Sequence, residues 1–227
     1  MQTPYWTNVL AMHVCSPLAV IESDTDVNLH AIVLAAGQSS RFGSAKQLVR
    51  IAGRPMLHAT VTRAVEVAGN SVYVVLGARA AELAPLLNHT TASIIINREW
   101  REGIGSSIRA GIARLPASCT AVMLLLADQA AITTEDLRRL VGAWRRQTDH
   151  IVAAVYASTV GVPAIFPRST FGDLAHLRGD QGARGLIQRN PDRLVRVPMD
   201  RAAIDIDTPE DLLNIETSTG PAPDNSE

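Results

Sequence analysis

Aromatic residues are scarce in this 227-residue chain: three Trp, three Tyr and three Phe make up 4 % of it. Apolar residues still reach 47 %, so a core has to be built from Ala, Val, Leu and Ile, as in parallel sheets covered by helices. Cysteine is rarer. Cys15 and Cys119 lie far apart, with no CxxC spacing and no paired histidine motif, which excludes a disulfide framework or a zinc site and makes a reducing cytoplasm the expected location. An excess of either charge is also missing. With 21 Lys and Arg against 22 Asp and Glu, the formal charge is −1, without the basic balance that a nucleic-acid partner demands. No apolar run approaches the ~20 residues of a membrane helix, so no membrane partner is expected. The opening "MQTPYWTNVLAMHVCSPLAVIESD" has no Lys or Arg ahead of its short apolar middle and makes a poor secretory signal. Two familiar phosphate loops are absent as well: neither GxxxxGK[ST] nor GxGxxG occurs.

What the chain does have is an alternation of β-rich runs with helical patterns. "HAIVLA", "SVYVVLG", "ASIIIN", "AVMLLLAD" and "HIVAAVY" read as strands. Between them, "PMLHATVTRAVEVAG" reads as an amphipathic crossover helix with Pro in its first turn and a terminal Gly. "ARAAELAPLLNH" reads as a helix shortened or kinked at Pro85, and "TTEDLRRLVGAWRRQ" as one opened by a Thr cap and acids and closed by arginines. This order implies an α/β, Rossmann-like, mostly parallel sheet flanked by helices. After residue 150 the pattern loosens: "GVPAIFP" reads as a strand interrupted by prolines, and beyond it come short helices and "RLVRVPM", which suggests a smaller lobe facing the ligand end of the sheet. Residues 1–28 read as an N-terminal extension, 29–216 as one domain, and the polar, Pro-containing 217–227 as a disordered tail.

In such sheets ligands bind outside the C-terminal ends of the strands, and four segments sit there. The first is "LAAGQSSRFGSAKQL", Leu34 to Leu48. Ala35, Ala36 and Gly37 let backbone N–H groups approach an anion. Ser39 and Ser40 add hydroxyls, and Arg41 and Lys46 add charge suited to a polyphosphate. A solvated basic loop is the plain alternative for any one of these residues; their combination argues against it. The second is "LLLADQ", ending in Asp128 and Gln129. Asp128 is either a helix cap or a ligand for metal or ribose, and because "TTEDL" supplies its own cap the ligand role is favoured. The third is "IDIDTPEDLL", where Asp205 and Asp207 share a face if extended, while capping by Asp207 or Thr208 stands beside metal binding. The fourth is "INREWREGIGSSIRAGI", in which Asn97 comes just after a strand and Gly105, Ser106 and Ser107 open a helix suited to a base edge or an anion, or simply to capping. Further on, "LRGDQGARGLIQ" gathers Gly179, Gly182 and Gly185 around Asp180 and Arg184. This is a loop that either takes a ligand, with the Arg184 fork on a phosphate or a polar ring edge, or is a surface turn capped by Asp180.

Taken in order, these segments resemble the molybdenum cofactor cytidylyltransferases, within the MobA-like nucleotidyltransferases. "LAAGQSSRFGSAKQL" is similar to their LAAGxSxRMGxxKQL signature. "NREWREGIGSSIRAG" is similar to N-x-x-W-x-x-G-M-x-x-S-hydrophobic-x-x-G, "LLLADQ" to L-x-x-D-Q, "GDQGARGLI" to GDxGARxLL, and "DIDTPEDL" to D-hydrophobic-DTPEDL. The likeness spans about residues 29 to 216. Phe42 and Ile104 stand where the pattern has Met, and both changes are apolar.

The resemblance implies transfer of CMP from CTP to the terminal phosphate of molybdopterin or molybdenum cofactor, with release of pyrophosphate. It implies Mg²⁺ held by Asp128 and Asp207 with Asp205 as an outer or alternate ligand, and a triphosphate bound by Arg41 and Lys46. It puts Leu34, Ala35, Ala36, Gly37 and Ser39 in the nucleotide loop, Ser107 on the cytosine and Gly77 in the base pocket. Asp180, Gly182 and Arg184 would bind the acceptor, and a molybdenum hydroxylase or its cofactor-delivery factor would be the downstream partner. Two rivals remain: another MobA-like transferase, guanylyl or sugar-phosphate nucleotidyl, against which "GDQGARGL" speaks, and a non-catalytic nucleotide-binding delivery protein, against which the set Arg41, Lys46, Asp128 and Asp207 speaks.

Overall fold

The first strand, β1 (Leu29–Ala35), lies at the centre of the molecule because it is buried on both faces. In a computed structural model, which describes residues 28–38, 46–51 and 53–204, Ala31, Val33 and Ala35 face one apolar layer and Ile32 and Leu34 the other, as the two-residue period of a strand dictates. After β1 come a short hairpin, β2 (Arg50–Ile51) and β3 (Arg54–Pro55), and the helix α1 (Met56–Ala68). Met56, Leu57, Thr60, Val61 and Ala64 form its buried stripe, spaced as an amphipathic helix requires. Gly69 ends it at φ 59°, a conformation that costs glycine little. Pro55 stands one residue earlier than the sequence suggests, as the extended residue ahead of the helix.

The chain continues through β4 (Val72–Leu76), the single-turn α2 (Ala80–Leu83), which tightens into a 3₁₀ turn at Pro85, and β5 (Ser93–Ile96). Then come α3 (Ile104–Ile112), β6 (Ala121–Leu126) and α4 (Thr134–Arg146). The cap expected for α4 is present in full: Asp136 N–H donates to Thr133 Oγ1 at 3.2 Å and Thr133 N–H donates to Asp136 Oδ2 at 2.9 Å, a reciprocal capping box.

After residue 150, β7 (Ile151–Tyr156), β8 (Thr159–Pro167) and β9 (Leu194–Pro198) join the same sheet. The order is β5-β4-β1-β6-β8-β7-β9. All neighbours run parallel except β8, which is antiparallel to both β6 and β7. Ala157 and Ser158, both at positive φ, make the two-residue turn of the β7–β8 hairpin. The "GVPAIFP" strand is continuous rather than broken by its first proline. Its register slips between Ala153 and Ala154, so Val162 and Pro163 fall in the gap between paired residues, where a missing N–H is tolerated. Beyond β8 the chain adds two short helices, α5 (Phe171–Ala175) and α6 (Arg184–Gln188). They pack with α3 on the face of the sheet opposite α1 and α4. Among the described residues, no helix is long and apolar enough to cross a membrane.

Candidate active site

Three parallel strands, β4, β1 and β6, end at the same edge of the sheet, and the segments leaving β1 and β6, with the turn after β5, converge on a cleft of about 540 Å³. Leu34 to Gln38 leave β1, Leu126 to Asp128 leave β6, and the turn at Trp100 and Arg101 leads into α3, which adds Gly103, Ile104 and Ser107. Asp180 comes from the segment between α5 and α6. Brought together in one cleft are therefore Leu34, Ala35, Ala36, Gly37, Lys46, Ser107, Asp128 and Asp180, taken from four separate stretches of sequence.

Within it Lys46 Nζ donates to Asp128 Oδ2 at 2.6 Å, both side chains being half-buried. Lys46 opens a 3₁₀ turn, and the buried Gln47 beside it donates from Nε2 to the Gly37 carbonyl oxygen at 3.4 Å, a long bond from that turn to the loop after β1. The strand end that carries Asp128 is held from two sides. Thr60 Oγ1 donates to the Ala127 oxygen at 3.4 Å, and Gln129 Nε2 donates to the carbonyls of Val162 and Ala202 at 3.0 and 3.1 Å. Asp128 is thus no helix cap; Thr133 fills that role. Its second oxygen, Oδ1, is buried with no hydrogen-bond partner among the described residues. An orphaned carboxylate oxygen is costly unless something binds there, so Asp128 fits as one ligand of a hard divalent cation. The other expected ligands, Asp205 and Asp207, lie outside the described residues, as do Ser39 and Arg41. Among the described residues no cluster of three His, Cys, Asp or Glu could hold a metal.

The wall formed by α3 depends on Asn97, which is buried where β5 ends. Its Nδ2 donates to Ser106 Oγ at 2.9 Å and Ser107 Oγ at 3.0 Å, and its Oδ1 accepts the Glu99 N–H at 2.9 Å. Ser106 donates to the carbonyls of Glu99 and Gly103. The serines do not cap α3, since the N-cap residue is Gly103, with no side-chain cap. Because Ser107 Oγ accepts from Asn97, its own proton is directed elsewhere, and Ser107 borders the cleft.

Gly77, expected in the base pocket, stands just behind the wall instead. A Cβ there would lie 2.6 Å from the Ala36 oxygen and 2.7 Å from Trp100 Cβ, so its bareness lets Trp100 close on the β1 loop. Gly182 and Arg184 do not border the cleft: Arg184 is an exposed first residue of α6. Asp180 is the member of that glycine-rich stretch which does. Sequence reasoning missed Gln38, Gln47, Trp100 and Arg101, all in the cleft lining. The Arg101 guanidinium lies 4.5 Å from the centre of the Trp100 ring, a cation–π contact. The signal was there, because an aromatic and a cation four and five positions past a strand end fall where ligands bind.

A helix-flanked, mostly parallel sheet whose small-residue loop and Lys–Asp pair meet at the C-terminal strand ends defines an enzyme of the nucleotidyltransferase kind. More narrowly, the chain belongs to the family of the MobA-like NTP transferase domain, whose model matches residues 31–195. It is 26 % identical over 204 residues to nicotine blue oxidoreductase of Paenarthrobacter nicotinovorans, covering 85 % of this chain and 98 % of that protein. It is 32 % identical over 136 residues to the bifunctional protein GlmU of Sorangium cellulosum, covering 57 % of this chain; the match spans only 29 % of that longer protein. Among solved structures, Rv0371c of Mycobacterium tuberculosis H37Rv superposes with a TM-score of 0.73 at 27 % identity, covering 85 % of this chain and all of that one. Another structure of Rv0371c, in complex with manganese, gives 0.69 at 25 % identity, covering 84 % of this chain and 98 % of that one.

Proposed function

We propose that this protein transfers the cytidylyl group of CTP to the terminal phosphate of molybdopterin or its molybdenum-bearing form, releasing pyrophosphate. The observation that carries the reading is the Lys46–Asp128 pair at the joined ends of β1 and β6, with Asp128 Oδ1 left without a partner among the described residues. A phosphate oxygen of the acceptor attacks the α-phosphorus of CTP, the bond from that phosphorus to the bridging oxygen of the β-phosphate breaks, and pyrophosphate leaves with the electron pair. The nucleophile is already anionic, so no protein base is needed, and catalysis reduces to positioning and charge neutralisation.

Lys46, with Arg41, neutralises the triphosphate, while backbone N–H groups around Gly37 approach it. Lys46 exchanges its Asp128 partner for substrate oxygens as the site fills. Asp128, with Asp207 and Asp205, would hold Mg²⁺, which when bound supplies Lewis-acid polarisation of the phosphates; the manganese in the Rv0371c structure supports a divalent ion in this family. Ser107 offers its hydroxyl to the base. The preference for CTP rests on the likeness of "LAAGQSSRFGSAKQL" and the serine segment to the cytidylyltransferases, and delivery to a molybdenum hydroxylase in the cytoplasm is the further implication of that likeness.

The test is pyrophosphate release from CTP, GTP, ATP and UTP, each with and without molybdopterin. Release from CTP that depends on molybdopterin is the expected result. Preference for GTP would move the protein to guanylyl transfer. Nucleotide binding with no release under any condition would leave the delivery-protein reading, or the redox activity for which the Paenarthrobacter relative is named.

A further inference from the structure

The turn that carries Asp180 is held in place from outside its own segment. Arg109, on the solvent side of α3, donates from Nη1 and Nη2 to Glu102 Oε1 and Oε2 at 2.7 and 2.6 Å, a forked pairing. The same Nη1 donates to the Leu177 carbonyl oxygen at 2.7 Å. Glu102 Oε1 in turn accepts the Gly179 N–H at 3.3 Å, and the Gly105 N–H donates to the Gly179 oxygen at 2.9 Å. Residues 177–179 are thereby tied to both ends of the turn that enters α3.

The packing leaves no slack. A Cβ on Gly103 would stand 2.5 Å from the Gly179 carbonyl and 2.6 Å from Asp180 Oδ1, and one on Gly105 would stand 3.0 Å from the Arg178 backbone. The Arg109 hydrogen bonds, with those from the Gly179 backbone, hold the Glu102 carboxyl down to about 2, so the fork stays charged at working pH.

Asp180 faces the cleft from the α3 side, whereas Lys46 and Asp128 come from the β1 and β6 ends. A carboxylate repels a triphosphate and is an acceptor only, so what it can take is a ligand edge rich in N–H or O–H donors. Three sources of such an edge exist: the acceptor's heterocycle, the nucleotide's ribose and the amino group of its base. Asp180 is exposed where Lys46 and Asp128 are half-buried, which favours the acceptor.

We propose that Arg109 is a positioning residue for the acceptor: by pinning Glu102 and the Leu177 carbonyl it fixes Asp180 where that carboxylate receives donor N–H groups of the acceptor's ring. This rests on the proposed transfer to molybdopterin.

The experiment compares Arg109→Gln, Arg109→Lys, Glu102→Gln and Asp180→Asn, singly and as the Arg109→Gln/Asp180→Asn pair. CTP affinity is read by calorimetry, molybdopterin affinity by direct titration, kinetics by pyrophosphate release and folding by thermal melting. Arg109→Gln is expected to raise the KM and the dissociation constant for molybdopterin by ~10-fold, with kcat and CTP affinity within about twofold of wild type. Arg109→Lys keeps the charge but not the fork, so it should fall between. In the Asp180→Asn background the Arg109 change should add less than about twofold, since two substitutions acting through one contact are not additive.

Full additivity, or equal weakening of CTP and molybdopterin, overturns the proposal, as does loss confined to CTP, which assigns Asp180 to the nucleotide. If Arg109→Gln melts too low to assay, the exposed Glu102→Gln carries the same expectation. Wild type that binds molybdopterin without transferring to it sinks the transfer reading but not this one, because direct titration still reads the clamp. Wild type that does not bind molybdopterin sinks both.

Discussion

At the scale of single residues, the proposed chemistry rests on one contact, Lys46 to Asp128, between side chains 82 positions apart. Each partner has a different expected signature. Asp128→Asn removes a ligand charge felt most in the transition state, and turnover should fall by ~10² or more with folding little changed. Lys46→Ala should weaken CTP binding and turnover together, since ground and transition states both carry the triphosphate's charge. Calorimetric CTP titration beside steady-state rates separates the two. Near-normal rates in both variants would reduce the pair to a surface salt bridge, and such pairs contribute little.

At the scale of elements, α4 shows how a local code survives into the fold. Thr133 and Asp136 satisfy each other's backbone, and Arg139 donates to Asp136 at 2.7 Å while Arg201 lies 3.6 Å away. Burial raises the Asp136 pKa, but the Thr133 hydrogen bonds, Arg139 and Arg201 together outweigh it and hold the carboxyl below its usual range. A carboxyl depressed in the folded state stabilises the protein fully above its unfolded pKa of about 3.9 and loses that contribution as pH falls through the folded value. Urea unfolding from pH 7 downwards should therefore show Thr133→Ala less stable by ~1 kcal/mol at neutral pH. Asp136→Asn should flatten the acid limb below about pH 4. An unchanged acid limb in Asp136→Asn would show that other carboxylates govern it.

At the scale of the whole molecule, the sheet acts as a bracket. Parallel β4, β1 and β6 present their ends together, and the antiparallel β8 lets β7 and β9 extend the same sheet. From the addition after β8, α5 and α6 then come to pack with α3, and between them Asp180 reaches the cleft. The proposed transfer brings polyanionic substrates to the Asp128 carboxylate, which requires a counter-charge beyond Lys46. Chelation with EDTA should abolish pyrophosphate release, and added Mg²⁺ or Mn²⁺ should restore it, while the melting temperature without nucleotide moves little. Full activity in EDTA would remove the cation from the site and leave Lys46 and Arg41 as the neutralising charges.

The amino-acid sequence by itself determined what is periodic or contiguous. Alternating β-rich and helical runs, the Thr133 cap, the Gly69 stop and the small-residue loop "LAAG" are all local, because capping, φ preference and side-chain period act within a few residues. Tertiary structure alone decided which distant residues meet. The strand order β1-β6-β8-β7 put Lys46 against Asp128, and a hydrogen bond across 68 positions, Arg109 to Leu177, put Asp180 rather than Arg184 in the cleft. Neither outcome has a local signature. An arginine at the head of α6 and an aspartate four residues before it read equally well as ligands, and only the packing of Gly103 and Gly105 against residues 178–180 turns one towards the site. Close backbone approach of this kind is set by the summed fit of the two segments, which no short stretch of sequence encodes.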